Sequence, residues 1–151
     1  MNLFSEFLFI PYQIVGDLKF KENEKNIGLI FNDNKEEYKN YGGGKIVRYN
    51  NFSNDLQIYF NDNDEFIGIH FFKSISFILN DKLYKIDFEN FKKDDLITLS
   101  DDFVLTAEEE GKDFTSKKLG IDFYFSDEGK LEAVLFMHED YYAREINNEF
   151  Y

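Results

Sequence analysis

The feature that most constrains this chain is an internal match. The segment Asp55–Phe72, DLQIYFNDNDEFIGIHFF, aligns without gaps to Gly120–Met137, GIDFYFSDEGKLEAVLFM, at an offset of 65 residues. Tyr59 falls on Tyr124, Phe60 on Phe125, Asp62 on Asp127 and Phe71 on Phe136. Each copy reads as apolar alternation, an acidic turn, then alternation again, which is the pattern of a β-hairpin. Alternation broken by Asp, Asn and Gly is common in β proteins, so convergence competes with duplication as the explanation. One 65-residue period in two copies is not a solenoid. If the copies are equivalent, one residue of each Tyr-Phe pair should be buried, because strand neighbours face opposite sides.

The surrounding sequence supplies further strands. Leu8–Ile14 reads as an extended segment bent at Pro11, and Asp17–Phe20 and Ile27–Phe31 as brief β-like runs around the polar turn 21–26. Ser74–Leu79 alternates through Ile75, Phe77 and Leu79, and Asn80-Asp81 makes a tight turn into Leu83–Ile86. Phe103–Thr106 is a short strand candidate. Two or three short helices are expected, from three candidate segments. One covers Lys35–Tyr41 with Asn34 as N-cap and a stop at Gly42-Gly43-Gly44. A second lies in Asp87–Asp95, around Phe88 and Phe91. The third runs through the tail 139–150, where Tyr142, Ile146 and Phe150 recur every four residues. The expected architecture is α+β within a single domain spanning 1–151. It is mainly antiparallel β, as a curved sheet or half-open barrel with two related hairpins, plus two or three short helices.

Length and composition fit one packed domain. The chain has 151 residues, 43% of them hydrophobic and 19% aromatic, enough to exclude global disorder. It contains no Cys, so neither a disulfide scaffold nor a thiolate metal site is available. The apolar start MNLFSEFLFIPYQIVG has no basic leader, carries Glu6 and is interrupted by Pro11, so it reads as neither signal peptide nor membrane span. The expected compartment is the cytoplasm.

The chemistry-bearing motifs are sparse. The triple glycine lacks P-loop or GxGxxG spacing, and Lys45 is not followed by Ser or Thr. Asp62-Asn63-Asp64-Glu65 opens like a calcium loop, but Phe66 and Ile67 stand where that loop needs a polar ligand and a Gly. It reads as a polar hairpin turn. His70 sits inside a strand and His138 at the end of another, beside Glu139 and Asp140. Adjacency in sequence does not make an acid–base pair, and no Ser/His/Asp order, nucleophile elbow or HExxH is present. No catalytic residue, metal or cofactor is expected.

Charge carries more information. The net charge is −13, which disfavours a phosphate backbone as partner. Eight acidic residues and one basic residue lie in the 20 residues Asp94–Asp113, interleaved with Leu96, Ile97, Leu99, Phe103, Val104 and Leu105. That run reads either as a solvated face or as an acidic dock anchored to the fold.

The line FIPYQIVGDLKF (Phe9–Phe20) resembles the opening of a loosely defined family of small bacterial proteins. Its members continue with hairpins like LQIYFNDNDEFIGIHFF and LGIDFYFSDEGKLEAVLFM and end near a Tyr-Tyr pair such as Tyr141-Tyr142. This chain departs from the family pattern after Phe20, where Lys21-Glu22 replaces a Gly. The family includes immunity proteins of polymorphic-toxin and contact-dependent growth-inhibition systems. The resemblance therefore implies a non-enzymatic immunity protein that binds and neutralises a cognate toxin domain, here a basic nuclease, in a tight complex. The family supplies no site residues. From charge and aromatic content, the candidate partner-binding set is Asp101, Asp102, Glu108, Glu109, Glu110, Asp113, the turn residues Asp62, Asp64 and Glu65, and the aromatic pair Tyr141 and Tyr142. Two alternatives stand beside this reading. One is a small enzyme or ligand-binding module with a pocket between the two hairpins. The other is a structural or regulatory module.

Overall fold

The structure is a computed structural model that describes residues 3–40, 43–52 and 54–141. In chain order the elements are β1 Phe7–Ile10, β2 Ile14–Val15, β3 Leu18–Lys19, α1 Glu24–Phe31, β4 Lys35–Lys39, β5 Lys45–Tyr49, β6 Leu56–Phe60, β7 Phe66–Phe71, β8 Ile75–Leu79, β9 Lys82–Ile86, β10 Val104–Glu109, β11 Gly111–Ser116, β12 Ile121–Ser126 and β13 Leu131–Met137. Short 3₁₀ turns occupy Asn50–Phe52 and Lys93–Thr98.

The strands form two sheets. The smaller has the order β3-β2-β1-β8-β9 and is antiparallel except where β1 runs parallel to β8. The larger has the order β10-β11-β12-β13-β7-β6-β5-β4 and is antiparallel throughout. Both are open and curved rather than closed into a barrel. Their facing sides share one aromatic core. Phe136 of β13 meets Phe7 and Phe9 of β1 and Phe77 of β8 at ring-centroid distances of 5.7, 4.7 and 5.4 Å. Phe7 also stacks on Phe71 of β7 at 5.5 Å. Burying such a ring contributes about 1.5–3 kcal/mol, and the edge-to-face geometry adds to it.

The two hairpins match beyond their sequence. In β6–β7 the register runs Leu56↔Phe71, Tyr59↔Gly68, Phe60↔Phe66; in β12–β13 it runs Ile121↔Phe136, Tyr124↔Ala133, Phe125↔Leu131. Every pair is displaced by 65, and each ladder carries a bulge at the same step, Tyr59/Phe60 and Tyr124/Phe125. The turns match too. Asn61 N–H donates to Glu65 O and Asp64 N–H to Asn61 O, as Ser126 does to Lys130 and Gly129 to Ser126. Asp64 and Gly129, at equivalent places, both have positive φ, 58° and 80°. The hairpins meet along β7 and β13, where Phe71 pairs with Val134 and Ile69 with Phe136. This register maps onto itself when the copies are exchanged. A local two-fold axis therefore passes between His70 and Leu135. The burial expectation holds only in part. Tyr59 is buried together with Phe60, whereas Tyr124 is half-buried beside buried Phe125.

Elsewhere the local expectations needed correction. Ile27–Phe31 is not a strand but part of α1. The Asn23 side chain caps its N-terminus through Lys25 N at 2.8 Å, and Asn32 closes it in the left-handed conformation. Ile27 and Phe31, one turn apart, face the core, and Phe31 stacks on Tyr49 at 4.2 Å. Lys35–Lys39, expected as a helix, is the exposed edge strand β4, fully paired with β5. The segment around Phe88 and Phe91 is a turn that buries both rings, with Phe91 N–H donating to Asp87 O, and the helical turn follows it. The acidic stretch 94–113 is ordered by β10 and the first half of β11. The expected tail helix lies beyond residue 141, outside the described residues.

Candidate functional site

Strand alternation gives the larger sheet a second face. Phe71, Ile58, Phe123 and Phe136 point to the core between the sheets, so Gln57, Tyr59, His70, Asp122, Tyr124, Leu135 and Met137 point outward. This outer face is neither polar nor bare. Tyr59, Ile67, Leu135, Met137 and Tyr141 form a second buried cluster, with Tyr141 edge-on to Tyr59 at 5.0 Å.

A cavity of about 510 Å³ opens on this face, between and beside the two hairpins. Its floor follows one row of cross-strand neighbours, Gln57↔His70↔Leu135↔Asp122↔Thr115. Five strands each contribute one residue. Ala133, Met137, Phe72 and Tyr141 add apolar walls, and Asp113, Thr106 and Tyr124 complete the rim.

The two ends of the row differ in chemistry. At one end Arg48, which can only donate, gives Nε–H and Nη2–H to Gln57 Oε1 at 3.1 and 2.9 Å. This fixes the amide so that Gln57 Nε2 donates to the Tyr59 hydroxyl at 2.6 Å. The Tyr59 hydroxyl in turn lies within hydrogen-bond distance of His70 Nδ1, at 2.8 Å. The His70 ring lines the cavity beside this chain of donors and acceptors. Burial pushes the imidazole down to about 4, so it stays uncharged through the neutral range.

At the other end Thr115 donates to Asp122 Oδ1 at 2.7 Å and meets Thr106 Oγ1 at 2.9 Å. Asp113 lies on the rim with no ion pair among the described residues. Burial raises the Tyr124 phenol, and the negative charges of Glu132, Asp113, Asp127 and Glu110 raise it further. These carboxylates therefore converge on one end of the sheet.

The candidate partner-binding residues separate into groups. Asp62, Asp64 and Glu65 are engaged within the protein. Asp62 accepts the Gly44 N–H at 2.6 Å, Asp64 pairs with Lys45 at 3.3 Å, and Glu65 pairs with Lys21 at 3.1 Å. Asp102 organises a loop. Burial works against its charge, yet donation from Ser100, Ser116 and the Lys118 N–H holds its carboxyl below the usual range. Asp101 is exposed and pairs with Lys118 at 3.2 Å. Glu108, Glu109 and Glu110 lie exposed at the β10–β11 turn, and Glu108 faces Lys112 at 3.6 Å. Asp113 joins them at the cavity rim. Tyr141 is buried against Tyr59, and Tyr142 falls outside the described residues. His138 lies away from the cavity, with Nδ1 accepting the Asp140 N–H at 3.1 Å.

Gln57, Thr106, Thr115 and Asp122 were not singled out from the sequence. The signal for two of them is the repeat itself: Gln57 and Asp122 occupy equivalent outward positions in otherwise apolar strands. Among the described residues no group of three or more His, Asp or Glu side chains is arranged to hold a metal ion, and no helix is long and apolar enough to cross a membrane. The geometry defines a two-sheet, mainly antiparallel β protein with a polarised cavity on the outer face of its larger sheet. No family model, curated protein or solved structure matches the chain.

Proposed function

We propose that the protein is a cytoplasmic, non-enzymatic immunity protein that captures a basic toxin domain, a nuclease, in a stoichiometric complex. One observation supports this reading most. The carboxylates of Glu109, Glu110, Asp113, Asp127 and Glu132 gather around Tyr124 and form no ion pairs among the described residues, while the acids of the first hairpin turn are engaged internally. Unpaired rim carboxylates steer a basic surface and are screened beyond about 8–10 Å at ordinary ionic strength. Buried aromatic and apolar groups beside them supply the anchoring area. The cavity between the hairpins favours a second reading, a small ligand-binding module.

Co-expression with the toxin domain encoded beside its gene tests the first reading. Growth is restored by the wild type and by His70→Ala and His138→Ala variants that remain folded. Loss of rescue in either folded variant overturns the non-enzymatic reading. Neutralising Glu109, Glu110, Asp127 and Glu132 together slows association about tenfold at roughly 20 mM salt and little at roughly 200 mM. An unchanged rate at low salt removes the acidic end from the interface.

A further inference from the structure

Building on that reading, we propose that the cavity on the outer sheet face receives one arginine side chain of the captured protein, its guanidinium lying at the Asp113–Tyr124 end. Three features select this occupant.

The first is polarity along the row. Arg48 stands behind Gln57 and holds its amide, so the positive charge at that end repels a cationic head. The opposite end offers only acceptors and hydroxyls: the Asp113 carboxylate, Thr106 and Thr115, with Glu110, Asp127 and Glu132 outside. Strands are about 4.8 Å apart, so His70 on β7 and Tyr124 on β12, two steps apart, are separated by about 10 Å. A long side chain with its charge at the tip fits that spacing.

The second feature is the floor between the ends. Leu135, Ala133 and Met137 line it, and an aliphatic stem packs on such a surface while its head stays polar. The third is the half-buried Tyr124 ring at the acidic end. A planar guanidinium stacks on an aromatic face and donates in its own plane to carboxylates, which an ammonium does not do equally.

The probe is N-acetyl-arginine methylamide, titrated into the full chain carrying labelled Ala, Leu and Met methyl groups. The Ala133, Leu135 and Met137 signals are expected to shift and saturate in the millimolar range. Asp113→Asn, at a side chain with no hydrogen bond or ion pair among the described residues, weakens binding about fivefold, as does raising salt from roughly 20 to 200 mM. N-acetyl-norleucine methylamide leaves the signals in place. Absence of shifts at these three methyls, or equal shifts with the norleucine compound, overturns the proposal. Micromolar, salt-insensitive binding of free agmatine also overturns it, in favour of a small-molecule cation site. The two readings fail separately: growth rescue without probe binding removes the arginine pocket alone, and probe binding without rescue removes the toxin alone.

Discussion

The carboxylates of the first hairpin turn are enclosed by their neighbours, whereas the second turn is exposed and its Lys130 pairs with Glu89 at 3.8 Å, although the two share ladder register, bulge and turn hydrogen bonds. Asp62, Asp64 and Glu65 are bound to Gly44, Lys45 and Lys21. At the equivalent places Asp127 and Gly129 are exposed, and nothing lies within 4 Å of the position where a side chain on Gly129 would begin. Near-identical local structure is thus compatible with opposite surroundings. The chain segment sets the hairpin, and what packs beside it decides whether its carboxylates hold the fold together or face a partner. The same contrast separates Tyr59, buried in a four-residue relay, from Tyr124, half-buried among carboxylates.

The largest expected effect probes the two turn regions. A Cβ on Gly44, at φ +72°, would stand 1.9 Å from the Phe60 carbonyl oxygen, whereas one on Gly129, at φ +80°, meets only solvent. Gly44→Ala should cost about 2–5 kcal/mol from left-handed strain plus backbone overlap, and Gly129→Ala about 1–2 kcal/mol from strain alone. Urea midpoints measure both. Equal losses would mean that the first turn shifts freely and is not enclosed.

The next concerns the axis, where one copy carries His70 and the other Leu135. The unfolded chain takes up a proton on His70 near pH 6.5, and the folded protein only near pH 4. Below about pH 6.5 the unfolded state binds more protons, so stability falls as pH drops from 6.5 towards 4 and is flat, for this group, above 6.5. The expected loss is about 1–3 kcal/mol, less than the full shift because the ring retains some exposure to the cavity. Urea melts at pH 7 and pH 5 should show it in wild type and a reduced slope in His70→Gln. Identical slopes would place the imidazole in bulk water.

The smallest compares the tyrosines. Tyr59→Phe leaves Gln57 Nε2 and His70 Nδ1 without their shared partner and should cost about 1–2 kcal/mol. Tyr124→Phe removes one long, exposed donation to the Glu110 carbonyl at 3.3 Å and should move the urea midpoint far less. Equal effects would show that the relay adds nothing to the first hairpin.

The hairpins were legible because period-two alternation and turn residues are local signals. α1 was not, since Ile27–Phe31 is short, β-branched in part and interrupted by Gly28; only Asn23 and Asn32, as flanking caps, mark it. Lys35–Lys39 has helix-favouring side chains, and its pairing with β5 outweighs that preference. β11, with the sequence GKDFTS, has too few apolar residues to show a period, and its pairing partners Ile121–Ser126 follow it in sequence. The cavity floor was the least legible. Its residues come from five strands, and Gln57 at one end of the row is 58 positions from Thr115 at the other. Counting charge likewise treated every carboxylate alike, whereas pairing with Lys21 and Lys45 distinguishes Glu65 and Asp64 from Asp127 and Glu128.

The seam between β7 and β13 has a consequence for synthesis. His70 and Leu135, neighbours across that seam, are joined by 65 residues of chain. At about 5–20 residues per second, translation needs about 3–13 s to supply the second after the first. During that interval the edge of β7, made of Phe66, Ile67, Ile69 and Phe71, has no native partner on that side, and an unpaired apolar strand edge recruits other chains. Every nascent copy passes through this stage before β13 is inserted into the middle of the sheet.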